Sequence, residues 1–184
     1  LPMPEPEVVV HAIATAEDLL QLADEVNDGS WDYVQNIYQL ANDIDMYGIV
    51  FPPIGQYRAV DLRDPIQEGF CAILDGQGHT ISNLTIASSA PYVGLFSVVG
   101  DSGMVVNLKL ENCSVQQIEQ LDGGTDTDTA VGAIAGKVYG TLQRCTVNGS
   151  VSGEYQVGGL AGIFDEGSYA WNCRVQDGII FGSK

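Results

Sequence analysis

The residues able to do chemistry in this 184-residue chain are few and widely spaced. His11 and His79 stand 68 positions apart, and His79, between Gly78 and Thr80, has no Cys or second His at ligand spacing. It reads as a hydrogen-bonded structural histidine, and His11 as part of a tail. Cys71, Cys113, Cys145 and Cys173 are nowhere closer than 28 residues, which argues against a metal site. The run Asp122-Gly123-Gly124-Thr125-Asp126-Thr127-Asp128 offers oxygens to calcium, but no bidentate Glu closes it as in a twelve-residue calcium loop. A solvated loop is the expectation there over a calcium site, and no cofactor is expected. Arg58, Arg63, Arg144 and Arg174 are the arginines, and none groups with the carboxylate pair that glycoside hydrolysis needs. Three triplets, Asn83-Leu84-Thr85, Asn112-Cys113-Ser114 and Asn148-Gly149-Ser150, match the glycosylation pattern and are read as Asn at structural corners.

The elements that must position these groups begin with a helix. Thr15, followed by Asp18 three residues on and by Leu19, Leu20, Ala23 and Val26, predicts a capped amphipathic helix, ended by Asn27-Asp28-Gly29. The apolar period then falls from 3.6 to 2. Tyr38 to Ala41 and Asn42 to Met46 read as short strands, and from Phe70 onward apolar pairs alternate with Gly, Asn, Asp and Ser.

Internal repetition is the strongest pattern. A Val-Gly element recurs at Val93-Gly94, Val131-Gly132 and Val157-Gly158-Gly159-Leu160, at intervals of 38 and 26. A second register aligns Leu84, Leu108, Cys145 and Cys173, at intervals of 24, 37 and 28, each with an apolar residue two positions on. Short strands in periods of this length point to a solenoid, here an all-β parallel β-helix, ahead of a hairpin sandwich. Equivalent positions should then stack: Leu84 on Leu108 on Cys145 on Cys173, and Ile86 on Leu110 on Val147 on Val175. On this alignment Cys145 and Cys173 are buried small hydrophobes, close enough for a bridge if geometry permits, and Cys113 lies off the ladder. Gly94, Gly132 and Gly158 would mark corners where no side chain fits. The long interval falls between Leu108 and Val131, so its extra residues should leave as a polar loop at about 116–130, carrying Gln116, Gln117, Asp122, Asp126 and Asp128.

Composition bounds the function. Twenty-four Asp and Glu against 7 Lys and Arg give a net charge of −17, which excludes nucleic acid as an expected partner and disfavours anionic membranes. No apolar run approaches the roughly 20 residues that span a bilayer. The opening Leu1-Pro2-Met3-Pro4-Glu5-Pro6-Glu7 reads as a tether over residues 1–11, ahead of one domain at 12–184, with a lead-in at 12–69 and repeats at 70–184. No signal-like segment opens the sequence, so an export signal is expected to have been removed, and the uncapped run Ile179 to Lys184 leads us to expect further repeats or domains.

These residues resemble a family. Gly159-Leu160-Ala161-Gly162 is similar to the element that names the GLUG-motif β-helix domains of bacterial surface proteins. Ala41 to Met46, Pro53-Ile54-Gly55 and Leu74-Asp75-Gly76-Gln77-Gly78-His79-Thr80-Ile81-Ser82-Asn83-Leu84-Thr85-Ile86 resemble the lead-in of immunoglobulin A protease-like proteins. The resemblance covers about residues 12–178. It implies a right-handed parallel β-helix with a short N-terminal capping helix, in an extracellular or cell-surface protein. The peptidases of that group carry His-Glu-x-x-His, which neither His11 nor His79 begins, so the chain is expected to be no enzyme.

The expected function is a non-catalytic, adhesin-like module that binds a glycan or host protein. Its contacts are expected from the 116–130 loop and from Trp31, Tyr33, Tyr57 or Tyr155. The alternatives are an architectural stalk or accessory domain of a peptidase, and a carbohydrate-active β-helix enzyme.

Overall fold

The computed structural model describes residues 7–29, 33–55, 69–118 and 128–183. They are mostly β: short strands in four parallel sheets, with one helix, Ala16–Asn27. The helix forms where expected. Thr15 accepts from the Asp18 backbone N–H at 3.2 Å, the Asp18 carboxylate accepts from the Thr15 N–H at 3.0 Å, and Leu19, Leu22, Ala23 and Val26 are buried on one face. At its last residue, Asn27 fixes the helix to the chain beyond by donating to the Pro53 carbonyl (3.0 Å) and accepting from the Gly55 N–H (2.9 Å).

The sheets are built by pairing each strand with its counterpart one repeat on. One six-stranded sheet runs Val10–Ile13, Ile37–Leu40, Ile73–Asp75, Met104–Val106, Thr141–Gln143 and Tyr169–Trp171. A second joins Ile44–Asp45, Thr80–Ser82, Lys109–Gln117, Thr146–Gly153 and Arg174–Val175, with Thr85–Ser88 and Ile179–Gly182 alongside. Two three-stranded sheets hold the Val-Gly strands (Tyr92–Val93, Ala130–Gly132, Val157–Gly158) and the strands that follow them (Phe96–Val99, Ala135–Val138, Ala161–Phe164). Every pairing within these sheets is parallel, the pattern expected of a parallel β-helix. The first strand takes in Val10 and His11, which the sequence assigned to a tether; His11 stacks on Tyr38 with ring centroids 4.9 Å apart.

The Val-Gly register is as expected, Val93 beside Val131 beside Val157. Its glycines are demanded by close approach rather than by a left-handed backbone, since none of Gly94, Gly132 and Gly158 has positive φ. A Cβ on Gly94 would lie 2.7 Å from Ala135 Cα, and one on Gly132 would collide with Ala161.

The second register differs from the expected one at its first step. Leu84 does not stack on Leu108. Thr85 pairs with Ser114 and Ile86 with Val115, which sets Leu84 beside Cys113, while Leu110 pairs with Ile81. Cys113 therefore belongs to the interior ladder, and it is buried. The cause is that one repeat contains two similar tetrapeptides five residues apart, Asn107-Leu108-Lys109-Leu110 and Asn112-Cys113-Ser114-Val115. From Leu108 on, the expected ladder holds: the pairing of Lys109 with Thr146 and of Thr146 with Arg174 puts Leu108, Cys145 and Cys173 in file. The extra residues of the long repeat fall between Gln117, opposite Ser88, and Ala130, opposite Tyr92.

The two ends of the stack differ. The helix covers one end, where Tyr33, Phe70 and Phe96 fill the core. At the other, the last repeat exposes Trp171, Val175, Ile180 and Phe181. Gly132→Ala is expected to cost about 1–3 kcal/mol by overpacking. Its thermal midpoint should fall by several degrees, read by circular dichroism.

Candidate functional site

The three Asn-x-Ser/Thr triplets come together. Thr85 pairs with Ser114, and Ser114 with Ser150, so the hydroxyls form one file across three strands, about 4.8 Å apart. At the corners preceding these hydroxyls, Asn83 and Asn112 are hydrogen-bonded to each other, and with Asn148 they line the same groove as a second file. The middle residues Leu84 and Cys113 point inward and are buried. The third repeat has Gly149 at that place because Cys113 leaves no room: a Cβ there would lie 2.6 Å from the Cys113 backbone nitrogen. The long strand carries one extra residue between Leu110 and Cys113, a bulge that brings Asn112 out at the corner.

The two files line an open groove of about 520 Å³, with Tyr47 and Gly48 at one end and Asp177 and Ile179 at the other. The amide file is oriented. Asn112 Nδ2 donates to Asn83 Oδ1 at 2.7 Å, and Asn83 Nδ2 donates to Asp45 Oδ1 at 2.8 Å. Asp45 also accepts from the Tyr47 backbone N–H at 2.9 Å, and it thereby presents the Tyr47 ring, which is 83 % exposed. The Asn83 amide and the Tyr47 N–H hold the Asp45 carboxyl below its ordinary value. What this arrangement offers is a row of fixed donors and acceptors beside an aromatic face.

The expected site residues are placed elsewhere. Gln116 and Gln117 are the last two full rungs of a strand, not loop, and Gln117 Nε2 donates to the carbonyls of Ala90 (3.1 Å) and Pro91 (3.2 Å). Asp128 accepts from the Tyr92 hydroxyl at 2.9 Å. Asp122 and Asp126 lie outside the described residues, as do Trp31 and Tyr57. Tyr33 is not a surface contact: it is buried, and its hydroxyl donates to the Gly69 carbonyl at 2.8 Å. Tyr155 is half-buried and outside the groove lining. His79 Nδ1 lies 3.2 Å from Asp43 Oδ1, the oxygen that also accepts from the Thr80 N–H. Among the described residues no group of three or more His, Cys, Asp or Glu could hold a metal ion. Each Asn of the groove is legible in the sequence within its triplet, but spacing alone does not bring the three triplets together, and Tyr47 carries no signal at all.

All four cysteines are free thiols. Cys71 and Cys113 are buried, and burial pushes the Cys113 thiol up to about 11. Cys145 and Cys173 are neighbours in the ladder. The contact between them pushes the Cys145 thiol, which is also desolvated by burial, up and pulls the half-exposed Cys173 thiol down.

A likeness to known proteins follows the same lines. No family model matches the chain. In fold it is a mostly β chain of stacked parallel strands, similar to the crystal structure of a candidate immunoglobulin A1 protease from Bacteroides ovatus. That likeness has a TM-score of 0.56 at 18 % identity and covers 93 % of this chain and 57 % of that one. In sequence the chain is 40 % identical to Halomucin from Haloquadratum walsbyi over 126 residues, which is 68 % of this chain and 1 % of Halomucin. Among the described residues, no helix is long and apolar enough to cross a membrane.

Two outcomes are expected. Iodoacetamide at neutral pH should label Cys173 first, at a rate that falls as pH is lowered and its thiolate is lost, while the buried Cys71, Cys113 and Cys145 label on unfolding; peptide mass mapping reads this. Asp45 has a depressed folded value, so its contribution is present above the ordinary carboxylate range of about 4 and is lost as pH falls through the folded value. Asp45→Asn should abolish that acid-side loss, followed through the Asn83 and Asn112 side-chain amide resonances.

Proposed function

We propose that the chain is a right-handed parallel β-helix module of a cell-surface or secreted protein, adhesin-like and non-catalytic, which binds a glycan in the Tyr47–Ile179 groove. The observation that carries this reading is the pairing of amide and hydroxyl files in one open groove, with an exposed aromatic ring at its end. Neutral sugars are recognised by such neutral donors and acceptors, fixed in place before the ligand arrives. The similarity to Halomucin supports a surface location, and the acidic composition is in keeping with it. The element Gly159-Leu160-Ala161-Gly162 supports placing the chain with the GLUG-motif domains: a Cβ on Gly159 would meet the Val175 and Ile180 side chains, and one on Gly162 the backbone of Gln156 and Val131. The site uses no metal or cofactor in this reading. The exposed apolar edge of the last repeat is the surface on which further repeats of a longer protein would stack.

A second reading is an architectural stalk or the accessory domain of an immunoglobulin A protease-like peptidase. The likeness to the Bacteroides ovatus structure, of which this chain covers 57 %, favours it.

The purified chain should bind on a glycan array, with and without a chelator, and Tyr47→Ala should abolish the signal. Silence at high concentration on glycan and host-protein arrays alike would favour the stalk. Release of new reducing ends from a bound glycan would overturn the non-catalytic assignment.

A further inference from the structure

The geometry points to an extended, neutral, β-linked polysaccharide as the ligand, lying along the stack of repeats with one pyranose per repeat; we infer this on the reading that the groove binds glycan. The two files run across the strands, so the groove's polar groups recur at the strand spacing of about 4.8 Å, close to the length of one pyranose in an extended β-linked chain. Each of three successive rungs offers one amide and one hydroxyl: Asn83 with Thr85, Asn112 with Ser114, Asn148 with Ser150. Each such pair can both donate to and accept from either edge of a sugar, and because successive β-1,4-linked sugars turn over, alternate edges meet alternate rungs while the chain axis stays straight along the files. A helical α-linked glucan curves away from a straight file within a few sugars and would lose the match.

The ends of the groove fix length and orientation. Tyr47, presented by Asp45, offers a ring face against which the apolar face of a sugar packs. Ile179, 71 % exposed and paired with Ser150, closes the far end of the hydroxyl file. Three rungs and the ring make room for about four sugars. Charge selects among polymers: Asp45 stands behind Tyr47, Asp177 lines the groove, and the chain carries −17, so uronate and sulfated chains are repelled.

The test is a calorimetric and NMR titration of the intact chain with cello-, xylo- and chito-oligosaccharides of one to six sugars, against malto-oligosaccharides and oligogalacturonates. Affinity should rise roughly fivefold per β-linked sugar, the worth of about one net hydrogen bond, up to four sugars and then level off, with perturbed resonances confined to Tyr47, Asn83, Asn112, Asn148 and their hydroxyl partners. Thr85→Val and Ser114→Ala, both exposed and at unchanged melting temperature, should each weaken the tetrasaccharide several-fold, and Tyr47→Ala at least tenfold. Equal binding of malto-oligosaccharides, affinity independent of length, or perturbations outside the groove would overturn this inference while leaving glycan binding intact. Absence of binding to every sugar tested would overturn both.

Discussion

The rest of the structure hangs on how each repeat turns. A parallel stack in which strands pair one repeat apart must bend the chain sharply, and here it does so through residues with left-handed backbone. Asn107, Arg144 and Asn172 hold φ of 54°, 50° and 52° at one corner, and Asn83, Asn112 and Asp177 hold 56°, 52° and 49° at the next. An L-residue there costs about 1–2 kcal/mol, least for Asn and Asp, whose short polar side chains bond locally. The corner is therefore set by sterics, and sterics select the side chain that appears on the outside of the bend.

Stacking then converts a local choice into a surface. Because corners lie above one another, their amides come within reach: Asn112 to Asn83 to Asp45 at one corner, and Arg144 Nε to Asn107 Oδ1 (2.6 Å), with Asn107 Nδ2 to Asp75 (2.9 Å), at the other. Each relay ends on a carboxylate, which accepts without needing to donate. Arg144 shows the rule by departing from it. It occupies an Asn position at the same φ, and it is held by its own N–H to the Trp171 carbonyl (2.9 Å) and by its guanidinium to Asn107. An arginine in that conformation is costly, and two partners offset the cost.

The sequence made the periodic parts legible and the aperiodic parts hard. The capped helix was readable from Thr15 and Asp18 because capping is local chemistry. The Val-Gly ladder was readable because Gly132 admits no substitute where Ala161 passes. The Leu84 ladder was misaligned, since a repeat with two left-handed corners carries two Asn-apolar tetrapeptides and spacing alone cannot choose between Leu108 and Cys113. Only backbone pairing, Thr85 with Ser114, decides it. The groove is half visible in the sequence: all three triplets are legible, but their alignment depends on the register at Leu84, which spacing does not decide. Tyr47 and Tyr33 went astray for a different reason. An isolated aromatic has no period, so its burial is decided by tertiary neighbours, an Asp45 turn for one and Phe70 for the other.

The same dependence makes the groove a rigid surface, so that on the proposed reading its donors and acceptors are fixed before a ligand arrives. Asn83, Asn112, Thr85 and Ser114 sit on or beside strands whose interior neighbours Leu84, Ile86, Cys113 and Val115 are buried, so moving an outer side chain's backbone would open the core. Burial of each such apolar side chain is worth about 1.5–3 kcal/mol, more than a single hydrogen bond to a ligand returns. On the proposed reading a ligand would therefore have to conform to the spacing of the repeats, and selectivity for shape would follow from the core beneath the groove.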